Sequence, residues 1–246
     1  MTSPKRSVIF GMPFDDIGMD PLIRELGANP GGFRYLVTPN VDHVVRLSRR
    51  PALYAAYEAA AFSLCDSRVL FLLSRFRHAG DLAEVIPGSD LTARLFSELI
   101  AADTPLTLIG GADEVAEALV QTYGLARLRH YNPPMGFIDS PAEVAKAVEF
   151  ALAEEATFIF ICLGSPQQEL LARAIADTGR GRGTALCVGA SIGFLTGHER
   201  RAPRWMQTLA LEWLFRLLHS PRRLFRRYLV DAWGIFPLFL RDLLAK

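Results

Sequence analysis

The chain has 246 residues, of which 50% are hydrophobic and 22% are charged, and its formal net charge at pH 7 is +1. This composition excludes a disordered chain, and the length suits one large α/β domain or two small ones. A net charge so close to zero gives no reason to expect a nucleic-acid partner.

Short runs rich in β-branched and aromatic residues predict strands along most of the chain. In chain order they are SVIFGM, FRYLVTPN, FSLCD, LTLIGG, ARLRHYN, TFIFICLG and ALCVGA. Longer segments with helical spacing separate most of them, such as VDHVVRLSRRPALYAAYEAA and SPAEVAKAVEFALAEEA. This alternation predicts an α/β fold with a largely parallel sheet, and the wholly apolar runs indicate strands covered on both faces.

The composition changes after about Glu199, which divides the chain into a core of residues 1–198 and a C-terminal appendage of residues 199–246. The appendage is rich in tryptophan, phenylalanine and leucine, and after Glu199 it carries ten basic residues against three acidic ones. Basic amphipathic helices of this kind favour a membrane surface or an anionic ligand. An ordinary helical cap on the sheet is the alternative.

The cysteines and the apolar segments bear on the compartment. Cys65, Cys162 and Cys187 lie in or at the end of apolar runs, so we predict buried thiols in a reducing compartment. The N-terminal apolar run meets acidic residues within a few positions, and no stretch of about 18 apolar residues occurs. We therefore expect neither a signal peptide nor a spanning helix, and a cytoplasmic protein.

Polar or glycine-rich segments follow five of the predicted strands. They are Thr38-Pro39-Asn40, Asp66-Ser67, Gly110-Gly111, Gly164-Ser165-Pro166-Gln167-Gln168-Glu169 and Gly189-Ala190-Ser191. Ligands of open parallel sheets bind outside the carboxyl ends of the strands, so all five are expected at one edge. Asn40, Asp66 and Ser165 are also good helix N-caps, which leaves each a purely structural alternative.

Several common nucleotide-site motifs are absent from the sequence. Neither G-x-G-x-x-G nor G-x-x-x-x-G-K-[ST] occurs, which disfavours a nucleotide-dependent oxidoreductase and a P-loop protein. No D-x-D occurs either, and that pattern is the usual sequence sign of a sugar nucleotide held through a metal. We therefore predict no metal site and no cofactor.

The order of several motifs resembles one protein family. GMPFDDIGMD, TPNVDHVV, LCDSR, VIPGSDL, LIGGADEVAEAL, CLGSPQQE and RAPRWMQTLALEWLFRLLHSPRRLFRRYL occur in the order seen in the WecG/TagA/CpsF glycosyltransferase family (glycosyltransferase family 26). The similarity extends from about Val8 to Leu240, and its last segment is the most specific.

The resemblance implies a Rossmann-like core with a helical C-terminal appendage, and an inverting, metal-independent transferase. The donor would be a UDP-linked hexose or N-acetylhexosamine, and the acceptor a polyprenyl-diphosphate-linked saccharide of a teichoic-acid linkage unit, capsule or exopolysaccharide. The protein would be peripheral on the inner face of the cell membrane, attached to anionic lipid. The sugar, the polymer and any homo-oligomeric state stay open.

The resemblance also assigns site residues. Asp66, after the third predicted strand, matches the family's candidate catalytic base, and Thr38 and Asn40 match its T-x-N loop beside the donor sugar or the acceptor. We expect Asp66 to stay ionised at a helix N-terminus, which makes the N-cap and base roles compatible. The remaining matches are expected to bind substrate: Gly110, Gly111, Gly164, Ser165, Gln168, Glu169, Gly189, Arg216, Arg223 and Arg226. The three arginines would reach over the site and stabilise the departing UDP.

Three positions depart from the family pattern. Leu64-Cys65-Asp66-Ser67 stands where T-P-D-G is frequent, Val85 where an arginine is frequent, and Gly193 where an aspartate is common. These changes leave the candidate base in place but alter neighbours of the sugar. A non-catalytic sugar-nucleotide-binding subunit of a polysaccharide assembly machine is therefore the alternative function.

Overall fold

The computed structural model describes residues 4–28, 31–76, 81–229 and 231–244, with the backbone alone at residues 204, 223, 227 and 228. Strands and helices alternate along most of the chain. The strands are β1 (Lys5–Ile9), β2 (Met12–Asp16), β3 (Phe33–Val37), β4 (Phe62–Ser63), β5 (Leu106–Ile109), β6 (Leu128–Tyr131), β7 (Phe158–Ile161) and β8 (Gly183–Cys187).

The helices connect these strands and then complete the chain. They are α1 (Met19–Gly27), α2 (Val41–Arg49), α3 (Tyr54–Glu58), α4 (Arg68–Ser74), α5 (Gly88–Glu98), α6 (Asp113–Tyr123), α7 (Pro141–Leu152), α8 (Gln167–Asp177), α9 (Ser191–Leu195), α10 (Arg204–Thr208), α11 (Glu212–His219), α12 (Pro221–Leu229) and α13 (Ile235–Leu244). Short 3₁₀ turns lie at Pro51–Leu53, Phe137–Asp139 and Asp231–Gly234. Among the described residues, no helix is both long enough and apolar enough to cross a bilayer.

Within the described part of the chain, six strands form one parallel sheet in the order β4-β3-β8-β7-β5-β6. All residues of β5 and β7 are buried, because helices cover both faces of the sheet. Two apolar clusters fill these two layers. The predicted α/β class and the Rossmann-like parallel sheet are confirmed.

The N-terminus forms an antiparallel hairpin of β1 and β2 beside the main sheet. Phe10 and Gly11 join the strands with positive φ angles of 54° and 80°, as a two-residue hairpin turn of the I′ kind requires. Sequence analysis predicted β1 but missed β2. The segment MPFDD contains a proline and two acids, and both are depleted in strands.

A partly buried ion pair holds the hairpin against the edge strand β4. The Nε and Nη2 atoms of Arg6 each donate to the carboxylate of Asp15 at 2.7 Å, and Nη1 donates to the Glu58 carbonyl at 2.8 Å. The same carboxylate accepts the backbone N–H of Ser63 at 2.7 Å. Because Ser63 ends β4 and Asp66 follows three residues later, the hairpin fixes the strand that leads into the predicted base.

The last helices pack on the core. Gly234 lies against Val45 of α2, where a Cβ atom would approach within 2.8 Å of the valine Cγ1. Asp231 pairs with Arg49 at 2.6 Å, and the ring of Phe239 meets that of Phe10 with centroids 6.2 Å apart. The end of the appendage thus shares a hydrophobic cluster with the hairpin and α2.

The ion pair of the hairpin gives a stability prediction. Asp15→Ala leaves Arg6 and the Ser63 amide without their shared partner in a largely buried place. We expect the free energy of unfolding to fall by about 3 kcal/mol. Asp20→Ala, which removes an exposed partner of Arg94, is the matched control and should cost less than about 1 kcal/mol. Urea denaturation measures both, and equal losses would contradict the anchoring role.

Candidate active site

A cavity of about 940 Å³ lies at the carboxyl ends of β3, β5, β7 and β8. Most of the predicted site residues line it: Thr38, Asn40, Asp66, Gly110, Gly111, Gly164, Ser165, Gln168, Gly189 and Arg216. We call it the polar cavity. The sheet brings these residues together because its strands all point toward this edge.

Two predicted residues with described side chains do not line the polar cavity. Glu169 is buried behind it, with 1% of its surface exposed. Arg226 lies outside the cavity with an exposed side chain, and its Nε atom is 3.8 Å from Asp231. The side chain of Arg223 lies outside the described residues. Of the three predicted arginines, the structure therefore places Arg216 at the cavity.

The helix-cap alternatives have different outcomes. Asn40 does cap α2, because its side chain accepts the N–H of Asp42 at 3.1 Å. The cap of α4 is Ser67, which accepts the N–H of Leu70 at 3.3 Å, so the cap assignment of Asp66 was wrong. Ser165 also fails as a cap, since α8 begins only after Pro166.

The carboxyl of Asp66 is partly exposed at the wall of the cavity and surrounded by protein atoms. Burial raises the pKa of Asp66 to about 8, reinforced by Glu212 and Asp90 and opposed by Arg216 and Arg201. The expectation that Asp66 stays ionised as a helix cap is therefore wrong. Its carboxyl is mostly protonated at pH 7, and once ionised it is a stronger base than an ordinary aspartate.

A buried series of polar contacts connects the strand ends behind the cavity. His43 contacts the Asn40 side chain through Nδ1 at 2.9 Å and Glu169 through Nε2 at 3.4 Å. Gln168 donates to Glu169 at 2.8 Å, and its own amide oxygen accepts the N–H of Gly189 at 3.1 Å. These contacts thereby fix the loops after β3, β7 and β8 relative to one another.

Glu169 and His43, which both take part in these contacts, have roles that sequence analysis did not predict. Burial by itself would raise the pKa of Glu169, but the contacts with His43 and Gln168 more than offset it and hold that pKa below its ordinary value. Glu169 is thus a buried, ionised support. Sequence analysis missed His43, although its place three residues after Asn40 is that of a capping-box partner.

The glycine pair after β5 forms a turn in which both residues have positive φ angles, and Gly110 has no room for a side chain. Gly110 has a φ of +92°, and a Cβ atom there would lie 2.6 Å from the Cys162 carbonyl oxygen. His130 contacts the carbonyls of Gly110 and Gly111, both at 3.2 Å. The turn therefore presents backbone without side chains to the cavity, which suits close approach of a phosphate group.

Cationic side chains also line the polar cavity. Arg216 bonds to Glu212 at 2.5 Å and lies over the ring of Phe194, 5.2 Å from its centroid. Arg46 also lines the cavity, and its buried Nη1 atom has no hydrogen-bond partner among the described residues. Guanidinium groups in such positions suit an anionic ligand. In the described residues, no group of three or more His, Cys, Asp or Glu side chains is placed to hold a metal.

The departures from the family pattern each have a structural counterpart. Ser67 caps α4, and Val85 lines a second, mainly apolar cavity that Asp66 also lines. A Cβ atom on Gly193 would lie 3.3 Å from Cγ of Glu199, and both residues line the polar cavity. Glu199 thus occupies the space that a side chain at position 193 would need.

Residues 189–193 have the G-x-S-x-G spacing of a hydrolase nucleophile elbow, which sequence analysis missed. Ser191 is nevertheless buried, and its hydroxyl donates to the Val188 carbonyl at 2.6 Å. The serine therefore serves the turn after β8 and is no candidate nucleophile.

The fold and the site together define a class of protein. A parallel sheet whose carboxyl edge carries a large polar cavity, glycine turns and cationic side chains is typical of Rossmann-like proteins that bind nucleotide ligands. The chain belongs to the glycosyl transferase WecG/TagA/CpsF family, whose family model matches residues 7–246. This confirms the resemblance found in the motifs, and it makes the protein a transferase with a sugar donor and an acceptor.

The raised pKa of Asp66 predicts a pH-dependent stability. The folded protein binds a proton at Asp66 up to about pH 8, whereas an unfolded aspartate releases it near pH 3.9. Stability contributed by the protonated form is therefore lost as pH rises from about 4 to 8. We expect Asp66→Asn to melt at a higher temperature than the wild type at pH 8, with the gap shrinking toward pH 4.

Calorimetry from pH 4 to pH 8.5 measures this difference. Asp20→Asn, at an exposed position, serves as the control, and any small difference from the wild type should stay the same across this pH range. A gap between Asp66→Asn and the wild type that stays constant across this range would show that Asp66 has an ordinary pKa.

Proposed function

We propose that the protein is an inverting glycosyltransferase of bacterial surface-polysaccharide synthesis. It moves a hexosyl or N-acetylhexosaminyl group from a UDP-sugar onto a polyprenyl-diphosphate-linked saccharide. It works without a metal, as a peripheral protein on the inner face of the cell membrane. The observation that carries the proposal is the position of Asp66, on the wall between the polar cavity and a second, apolar cavity.

The polar cavity supports binding of the donor. Its volume of about 940 Å³ lies at the upper end of the range for ligand pockets, as a nucleotide diphosphate sugar requires. The turn at Gly110 and Gly111 leaves room for the diphosphate beside the backbone. Arg46 and Arg216 supply positive charge that matches its oxygens.

The reaction is a single displacement at the anomeric carbon. The carboxylate of Asp66 accepts the proton of the acceptor hydroxyl while that oxygen attacks the anomeric carbon. The bond from this carbon to the UDP oxygen breaks as the new bond forms, so the configuration inverts. A base with a pKa of about 8 is well matched to physiological pH. Arg216 offsets the charge that develops on the departing UDP.

The surface of the appendage supports attachment to a membrane. Exposed apolar side chains of residues 199–244 include Trp205, Leu209, Phe225, Trp233 and Phe236. Exposed arginines, Arg222 and Arg226 among them, lie on α12 between these residues. An apolar surface with cations beside it favours adsorption to anionic lipid, with each cation contributing about 1 kcal/mol.

The base role of Asp66 gives the test of the proposed function. Asp66→Asn keeps the size of the side chain but cannot accept the hydroxyl proton, so turnover should fall about 10²-fold or more. Donor affinity should barely change. The assay measures UDP release from a panel of UDP-sugars with a lipid-diphosphate saccharide in detergent and EDTA, and calorimetric titration measures UDP-sugar binding.

Wild-type kcat/KM should rise with pH toward a plateau above about pH 8. UDP-sugar binding without transfer to any lipid-diphosphate acceptor would instead favour the non-catalytic binding subunit. Normal turnover of Asp66→Asn would overturn the base assignment, and loss of wild-type turnover in EDTA that added metal restores would overturn metal independence.

Two of the three predicted arginines, Arg216 and Arg226, have described side chains and give a matched pair of variants. Arg216→Ala removes a cation from the cavity wall, and we expect turnover in detergent to fall about 10²-fold. Arg226→Ala removes an exposed cation outside the cavity, so turnover in detergent should stay within about twofold while binding to anionic liposomes weakens. Normal turnover of Arg216→Ala would show that this arginine has no part in the chemistry.

A further inference from the structure

A second cavity of about 470 Å³ adjoins the polar cavity at Asp66. The two share Asn40, Asp42, Asp66 and Arg216. The other walls of this second cavity are mainly apolar and come from α4, the loop before α5 and the appendage. We call it the apolar groove, and its apolar lining includes Val69, Leu73, Val85, Trp213, Leu229 and Trp233.

The outer rim of the apolar groove carries exposed apolar side chains. Trp233 is 63% exposed and Phe236 49%, and their rings lie with centroids 5.4 Å apart. On α4, whose residues Val69 and Leu73 line the groove, Leu72 is 57% exposed. The groove therefore adjoins the polar cavity at Asp66 and Arg216 and also carries apolar side chains that are exposed at the surface.

We propose that the apolar groove binds the first isoprenoid units of the acceptor lipid. The inference rests on the proposed function and extends it by assigning the acceptor site. The prenyl chain enters from the exposed apolar rim, and the diphosphate lies near Arg68 and Arg216. The saccharide then reaches Asp66 from the groove.

Three observations favour a prenyl diphosphate over other occupants. The groove combines a mainly apolar lining with a few charged side chains, among them Arg68, Glu212 and Arg216, which matches an amphiphile with a single polar head. It is continuous with the donor cavity through Asp66, so a ligand whose head lies there presents that head to the base. At position 85, where the resemblance gives an arginine, this chain has a valine that extends the apolar wall.

Direct labelling tests the site without requiring sugar transfer. The probe is a farnesyl diphosphate analogue with a diazirine on its terminal isoprene unit, irradiated with the full chain in detergent. We expect the adducts within residues 69–73 and 229–236. Adducts confined to other parts of the surface would overturn the proposal. In a competition experiment, phosphatidylglycerol should reduce labelling less than unlabelled farnesyl diphosphate does at the same concentration. Equal competition by the two lipids would also overturn the proposal, because the groove would then be a membrane-lipid site.

Two leucines of the appendage give matched variants. Leu229 lines the groove and is 41% exposed, whereas Leu218 is 68% exposed and lines neither cavity. We expect Leu229→Gln to reduce labelling and to raise the KM for a long-chain prenyl acceptor about tenfold. The KM for a short-alkyl diphosphate with the same saccharide should stay unchanged. Leu218→Gln should leave all three quantities unchanged.

Ala232→Phe, which fills the groove instead of making it polar, provides a second variant and should act like Leu229→Gln. Equal effects of Leu229→Gln and Leu218→Gln, or a KM increase that is the same for both acceptors, would overturn the groove assignment. Labelling in the groove of a protein that transfers no sugar would refute the proposed function and leave the prenyl diphosphate site standing.

Discussion

The parallel pairing of β4, β3, β8, β7 and β5 is the constraint on which the site depends. In a parallel sheet every strand delivers the segment that follows it to the same edge, whatever the distance between strands in sequence. Segments as far apart as residues 38–40 and 189–191 therefore meet around one cavity. The Arg6–Asp15 pair extends this constraint to the sheet's edge, because it holds β4 and so the start of the Asp66 loop.

Two carboxylates near this edge have opposite protonation behaviour. Asp66 lies where burial outweighs its positive neighbours, so its pKa rises to about 8. Glu169 is more deeply buried, but Gln168 donates a hydrogen bond to it and His43 lies 3.4 Å away, and its pKa is lowered. Environments that shift the pKa values of two acids in opposite directions distinguish a group that exchanges protons from one that supports the structure. Asp66 suits the first role and Glu169 the second.

The appendage contributes to both the core and the site. Its end packs on α2 and the hairpin through Gly234, Asp231 and Phe239. Its first half brings Arg216 to the polar cavity and Trp213 to the apolar groove. Cations and apolar side chains on its outer surface are thus adjacent to residues that line both cavities. This arrangement connects the proposed membrane attachment to the proposed entry of the acceptor.

The sequence by itself determined the strand order along the chain, the α/β class and the family. These depend on local apolar runs, on helical spacing and on motif order, all of which are written in neighbouring residues. It also predicted that one edge of the sheet carries Thr38, Asn40, Asp66, Gly110 and Gln168. The reason is that the carboxyl ends of parallel strands all lie at the same edge. The β2 strand was missed since its local composition opposes a strand and only its partner β1 stabilises it.

Tertiary structure alone decided the remaining features. The pKa of Asp66 depends on atoms from Asp90, Arg201, Glu212 and Arg216, which are distant in sequence, and no local pattern gives their sum. The role of His43 required Glu169 to be brought beside it, and the separation of Arg216 from Arg226 required the path of α11 and α12. The apolar groove exists only where α4 meets the appendage. Burial and electrostatics are properties of such assembled neighbours, so they cannot be deduced from the order of residues alone.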